Sequence, residues 1–144
     1  MSFGIDVDIL LYASDDTSPF NRKATDFLAQ CAAGREVFCL AWVTVASYLR
    51  TATHPAIFAR PLAHEDAARN IEALLNLPHR RTLGEQDDFW TTYRTVAADV
   101  PTRGNPVPDA QLASILVGNG VTTICTHDRD FRKFSFLDVR DPLA

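Results

Sequence analysis

The chain has 144 residues, 47% hydrophobic and 22% charged, with a formal net charge of −4 at pH 7. That size and balance fit one compact domain over residues 1–144 and exclude a disordered or fibrous chain. No apolar run reaches the roughly 20 residues that span a bilayer, and the opening Met1-Ser2-Phe3-Gly4-Ile5-Asp6 lacks the basic start of a signal peptide, so a cytoplasmic protein with no membrane partner is expected.

In chain order, short β-like runs alternate with longer helical patterns, which predicts an α/β fold with a short, mainly parallel sheet flanked by helices. Phe3–Ile5 reads as a strand running into Asp6, followed by a short helix over Ile9–Ala13. The spacing of Ala24, Phe27, Leu28 and Cys31 predicts a helix from Phe20 to Ala33, with Gly34 as its stop. Val37–Leu40 reads as the next strand, and Trp42–Thr53 as a helix ending before His54-Pro55. The middle of the chain reads as all-helical, with Ala63–Leu77 closed by Pro78 and Gln86–Val100 closed by Pro101. Thr102–Val107 reads as a loop, Pro108 as a first-turn residue and Ala110–Val117 as a helix stopped by Gly118-Asn119-Gly120. Thr122–Thr126 is a β-branched strand, His127–Lys133 a polar turn, and Phe136–Val139 a last short strand.

Three cysteines, Cys31, Cys39 and Cys125, lie in apolar contexts without metal-ligand spacing and read as small core residues. The acidic net charge argues against a general basic grip on nucleic acid, but not against a nuclease, whose metal site must itself be acidic. No glycine-rich phosphate loop or nucleophile elbow is visible.

Asp6 and Asp128 each lie just beyond the carboxyl end of a predicted central strand. Right-handed crossovers bring such ends to one edge of a parallel sheet, where ligands bind. Asp109 has Leu112, Ala113 and Leu116 at i+3, i+4 and i+7, so it shares their buried stripe. A carboxylate there is costly unless something compensates it. Each aspartate alone is accounted for by a turn or a helix dipole. Brought together they repel, and must protonate or share a cation; with oxygen ligands only, Mg2+ or Mn2+ is the natural one. Such a site can activate water for attack on a phosphodiester.

Ile5-Asp6-Val7-Asp8-Ile9-Leu10-Leu11-Tyr12-Ala13 resembles the opening D-x-N-x-L-x-Y-A of PIN-domain nucleases. Val107-Pro108-Asp109-Ala110-Gln111-Leu112-Ala113 is similar to their x-x-D-A-x-I/L-A helix start, and Thr126-His127-Asp128-Arg129-Asp130-Phe131 to their T-x-D-x-D-F ending. Order and spacing fit over essentially the whole chain. Within that family, the size and Leu49-Arg50-Thr51-Ala52-Thr53-His54-Pro55 resemble VapC-type toxins of toxin–antitoxin pairs. The resemblance implies a three-layer PIN-like fold and a magnesium-dependent endoribonuclease that hydrolyses RNA, is usually a homodimer, and is silenced by a cognate antitoxin. It also implies Asp6 and Asp109 as principal metal ligands, Asp128 as a further acid, Thr126 as a supporting hydrogen-bonding residue, and Asp130 as another participant.

Two positions depart from the family pattern. Asp8 replaces the usual Asn, and aligning on Leu49-Arg50 puts Ser47 where a Glu is common, so Asp8 or Asp130 is expected to compensate. Arg129, Arg132 and Lys133 are placed for phosphate contact. His127 reads as a loop histidine, with general-acid chemistry as the alternative. His54 reads as a helix-end residue and His79-Arg80-Arg81 as solvated surface. Trp42, Trp90, Phe89 and Tyr93 read as core or dimer interface, not as base-stacking platforms. Two competing functions stand beside the nuclease. One is a PIN-like RNA- or antitoxin-binding module with little catalysis. The other is a haloacid-dehalogenase-like phosphatase, since Asp6-Val7-Asp8 mimics its D-x-D.

Overall fold

The computed structural model describes residues 1–98, 100–101 and 106–144. Five strands form one sheet in the order β3-β2-β1-β4-β5, every pair parallel. They are β1 (Ser2–Ile5), β2 (Val37–Ala41), β3 (Arg80–Leu83), β4 (Thr123–Cys125) and β5 (Asp138–Arg140). The helices are α1 (Val7–Ser14), α2 (Asn21–Ala33), α3 (Trp42–Ala52), α4 (His64–Leu75), α5 (Phe89–Ala98) and α6 (Pro106–Gly118), and a 3-10 turn covers Arg129–Lys133.

The sheet separates two apolar layers. On β2, Phe38 and Leu40 join one core with Ile9, Leu10, Ala24 and Tyr48, whereas Cys39 and Ala41 join the other with Ala113, Leu116 and Ile124. That split follows from the alternation of side chains along a strand. Helices α1 to α4 cover the first face, and α5 and α6 the second. Helix α6 is buried on almost every side, from Ala110 through Leu116, because α5 packs over the surface that the sheet leaves free. Gly4 on β1 lets α6 approach: a Cβ there would stand 2.7 Å from Leu116 Cδ2.

The expected α/β class and parallel sheet hold. One region differs: the middle of the chain is not all-helical, since Arg80-Arg81-Thr82-Leu83 forms edge strand β3. Two arginines hide the strand signal, but an edge strand carries charge readily and only Leu83 is buried there. Arg80 and Arg81 remain exposed, as expected of surface residues. Helix α6 starts at Pro106 and not at Ala110. The predicted loop therefore loses Pro106 and Val107 to the helix, and its Thr102–Asn105 portion lies outside the described residues. Strand β5 sits two residues later than Phe136. Trp42 and Trp90 are not core residues, being 50% and 66% exposed. All three cysteines are free and buried. Burial pushes the Cys31 thiol up to about 12 and the Cys125 thiol to about 11, so neither is a nucleophile. No described helix is long and apolar enough to cross a membrane.

Candidate metal centre

Strands β1 and β4 are hydrogen-bonded neighbours at the middle of the sheet, so the residues that follow them meet. Asp6 ends β1 and caps α1, its Oδ1 accepting from the Val7 amide at 2.7 Å. Its own amide donates to the Cys125 carbonyl at 3.1 Å. Thr126, fully buried just past β4, places Oγ1 2.8 Å from Asp6 Oδ2 and 3.2 Å from Asp8 Oδ2. A single hydroxyl proton serves one of these carboxylates at a time. Asp8 Oδ2 also accepts from the His127 amide at 3.0 Å, while Asp8 Oδ1 is buried without a partner.

The remaining acids stand on α6 and on the 3-10 turn. Asp128 caps that turn, its Oδ1 accepting from the Asp130 amide at 2.9 Å, and its own amide donates to Thr126 Oγ1 at 3.0 Å. Asp109, in the first turn of α6, has Oδ2 3.1 Å from Lys133 Nζ. Asp109, Asp128 and Asp130 each offer a carboxylate oxygen within 4.8 Å of the others.

The electrostatics connect the two groups of acids. Asp6 is 7% exposed, and burial, with the charges of Asp8 and then Asp109, pushes its carboxyl up to about 7 against the pull of Thr126 and Val7. Burial also raises Asp8, with Asp128 adding to it and the His127 amide and Thr126 hydroxyl opposing. Asp109 is raised by burial and by Asp128 and Asp130, and Lys133 pulls it back. Concentrated carboxylates of this kind favour a proton or a cation over bare negative charge.

Of the other residues singled out in the sequence, Arg129 and Arg132 are exposed on the turn beside Asp130. Ser47 is half-buried on α3, and makes none of the hydrogen bonds that tie the aspartates to Thr126 and His127. His54 packs at a helix end, its Nδ1 accepting from the Ala56 amide at 3.1 Å. His127 lies in the loop between β4 and the 3-10 turn, as expected. Its Nδ1 is 2.9 Å from Asp141 Oδ2, and its ring lies 4.5 Å from Phe20 and 6.1 Å from Tyr12, centroid to centroid.

Asp141 and Tyr12 were given no role in the sequence, nor was Lys133 as a partner of Asp109. Burial and then the charges of Asp8, Asp128 and Asp141 raise the Tyr12 phenol, which keeps it protonated beside the site. Only the i+4 spacing of Tyr12 after Asp8 could have suggested that both reach one face of α1. For Asp141, no local signal exists.

A parallel sheet of order 3-2-1-4-5, with acids gathered behind β1 and β4 and at the start of α6, defines the PIN-type fold. No family model matches the chain. It is 44% identical over 144 residues to Ribonuclease VapC48 of Mycobacterium tuberculosis, covering 100% of this chain and 99% of that one. Among solved structures it resembles VapBC2 from Rickettsia felis, bound to a DNA fragment from their promoter, with a TM-score of 0.71, 13% identity and 98% of each chain covered. It also resembles the Mycobacterium tuberculosis sarcin-ricin loop cleaving toxin VapC20, with a TM-score of 0.70 and 14% identity over 96% of this chain and 98% of that one. The chain belongs to the VapC ribonuclease family. The haloacid-dehalogenase-like reading of Asp6 and Asp8 is thereby set aside.

Proposed function

We propose that the protein is a metal-dependent endoribonuclease, the toxin of a toxin–antitoxin pair, which hydrolyses RNA phosphodiester bonds in the cytoplasm and so inhibits translation and growth. The observation that supports this reading is the Thr126 hydroxyl, which bonds Asp6, Asp8 and the amide of Asp128, beside the carboxylate cluster of Asp109, Asp128 and Asp130. The residues fit a hard divalent ion, Mg2+ or Mn2+. Every donor is oxygen, the carboxylates of Asp109, Asp128 and Asp130 approach within 4.8 Å, and Asp8 Oδ1 is an orphaned buried acceptor.

Asp6, Asp109 and Asp128 would hold the ion, with Asp8 or Asp130 supplying the charge that Ser47 lacks. When bound, the ion supplies a water of lowered pKa and stabilises negative charge at the scissile phosphate. Thr126 fixes the rotamer of Asp6, and the Val7 amide fixes its other oxygen. Arg129, Arg132 and Lys133 supply positive charge for the RNA backbone, which offsets the acidity of the site.

An antitoxin is the proposed protein partner. A cleft of about 400 Å³, lined by Leu10, Leu28, Ala29, Ile71, Leu74 and Leu77 among others, suits an apolar helical segment. The exposed Trp42 and Trp90 support a homodimer interface. The test is cleavage of cellular RNA by the purified protein with Mg2+, with ends mapped for wild type and Asp109→Asn. Metal-dependent cleavage lost in the variant and in EDTA is expected. No metal-dependent cleavage of any cellular RNA would leave the binding-module reading in its place.

A further inference from the structure

We infer that Lys133 is the resident counter-cation of the acidic site, and that it and the divalent ion compete for Asp109. The inference rests on the metal-binding reading above. Lys133 Nζ is 3.1 Å from Asp109 Oδ2, in a pair whose side chains are only 24% and 22% exposed. Among the described residues it is the one cation paired with any of Asp6, Asp8, Asp109, Asp128 and Asp130. Asp109 also faces the carboxylates of Asp128 and Asp130, so without an ion this ammonium is the local neutralising charge.

A metal taking the same oxygen would set two cations against one another across a partly dry space, where repulsion is strong. Lys133 must then withdraw, and its long flexible stem permits it. In the same conformer Nζ lies 5.3 Å from the centroid of the buried Phe134 ring, so the ion pair is flanked by an aromatic face. Released from the carboxylate, the ammonium swings on that stem to the rim of the site, where an RNA phosphate needs a cation. One side chain thus holds the metal-free site together and meets substrate in the metal-loaded one.

The test is titration of the full chain with Mn2+ alone, by calorimetry, together with thermal melting in EDTA. Lys133→Met, or Lys133→Gln should the first fail to fold, is expected to bind Mn2+ about tenfold more tightly. The same variant should melt at a lower temperature than wild type in EDTA. Arg132→Gln, which removes an equal charge from the same turn, is expected to shift Mn2+ affinity less than about twofold. Lys133 variants that bind Mn2+ no more tightly than wild type overturn the competition, as do equal gains in Arg132→Gln. If neither wild type nor variants bind Mn2+, the metal reading itself fails, and this inference with it.

Discussion

Thr126 stands with its hydroxyl 2.8 Å from Asp6 Oδ2 across 120 residues of chain, fully buried, and it is the hinge on which the site turns. Strand pairing between β1 and β4 sets the distance, and the same oxygen accepts the amide that positions Asp128. Thr126→Val keeps the shape and removes both hydrogen bonds. It should cost about 1–3 kcal/mol of stability, because buried partners are left unsatisfied. Metal affinity should fall about tenfold, with cleavage partly restored by excess Mg2+. Chemical denaturation and Mg2+-dependence of cleavage check this, and unchanged Mg2+ dependence would remove Thr126 from the site's support.

Asp8 has one oxygen engaged by two donors and the other unpartnered. Asp8→Asn keeps the acceptor for the His127 amide but turns the free oxygen into a donor. Mg2+ should bind about tenfold more weakly, with little loss of folding. Unchanged metal affinity and cleavage would show that Asp8 does not replace the acid missing at Ser47.

The raised Asp6 carboxyl makes stability depend on pH in a defined direction. The folded protein keeps that proton up to about pH 7, whereas an unfolded chain releases it near the ordinary value of 3.8. Between those values the folded state binds more protons, so metal-free stability falls as pH rises through that window. Asp8 and Asp109 act in the same direction. Thermal midpoints in EDTA should drop from about pH 4 to about pH 7, less steeply in Asp6→Asn, and Mg2+ should restore the midpoint at the upper end. A midpoint that rises across the window would contradict the burial of an uncompensated acid.

Gly4 permits the close approach of β1 and α6. In Gly4→Val the new Cβ would stand 2.7 Å from Leu116 Cδ2, and Leu116 is itself buried. Overpacking of this kind should cost about 1–3 kcal/mol in urea unfolding. A variant as stable as wild type would mean that α6 yields easily.

The cleft beside α2 offers a way to separate partner binding from catalysis. Ala29 is exposed on that helix and lines the cleft. Ala29→Arg should weaken co-purification with the cognate antitoxin while leaving RNA cleavage at the wild-type rate. Full retention of the antitoxin would move its seat elsewhere.

Much of the architecture was legible because its signals are local. Alternation and helical spacing marked β1, β2 and α2, and Gly34 closes α2 where it was expected to. The meeting of the Asp6 and Asp128 segments was legible for a topological reason: residues that follow parallel central strands share one edge. Strand β3 was not, because an edge strand needs only one buried side chain, and Arg80-Arg81 outweighs Leu83 in any periodicity. The start of α6 was legible only as far as Pro108, since Pro106 read as part of the preceding loop although proline suits a first helical turn.

Residue order and spacing were enough to give the family and the parallel sheet, and to single out the candidate acids. Only the folded chain fixes which groups the acids meet: Thr126 between Asp6 and Asp8, Lys133 on Asp109, and His127 on Asp141. The reason is physical. Strand order and helix spacing are properties of neighbours along the chain, whereas the burial and pairing of a charge depend on which distant side chains pack around it.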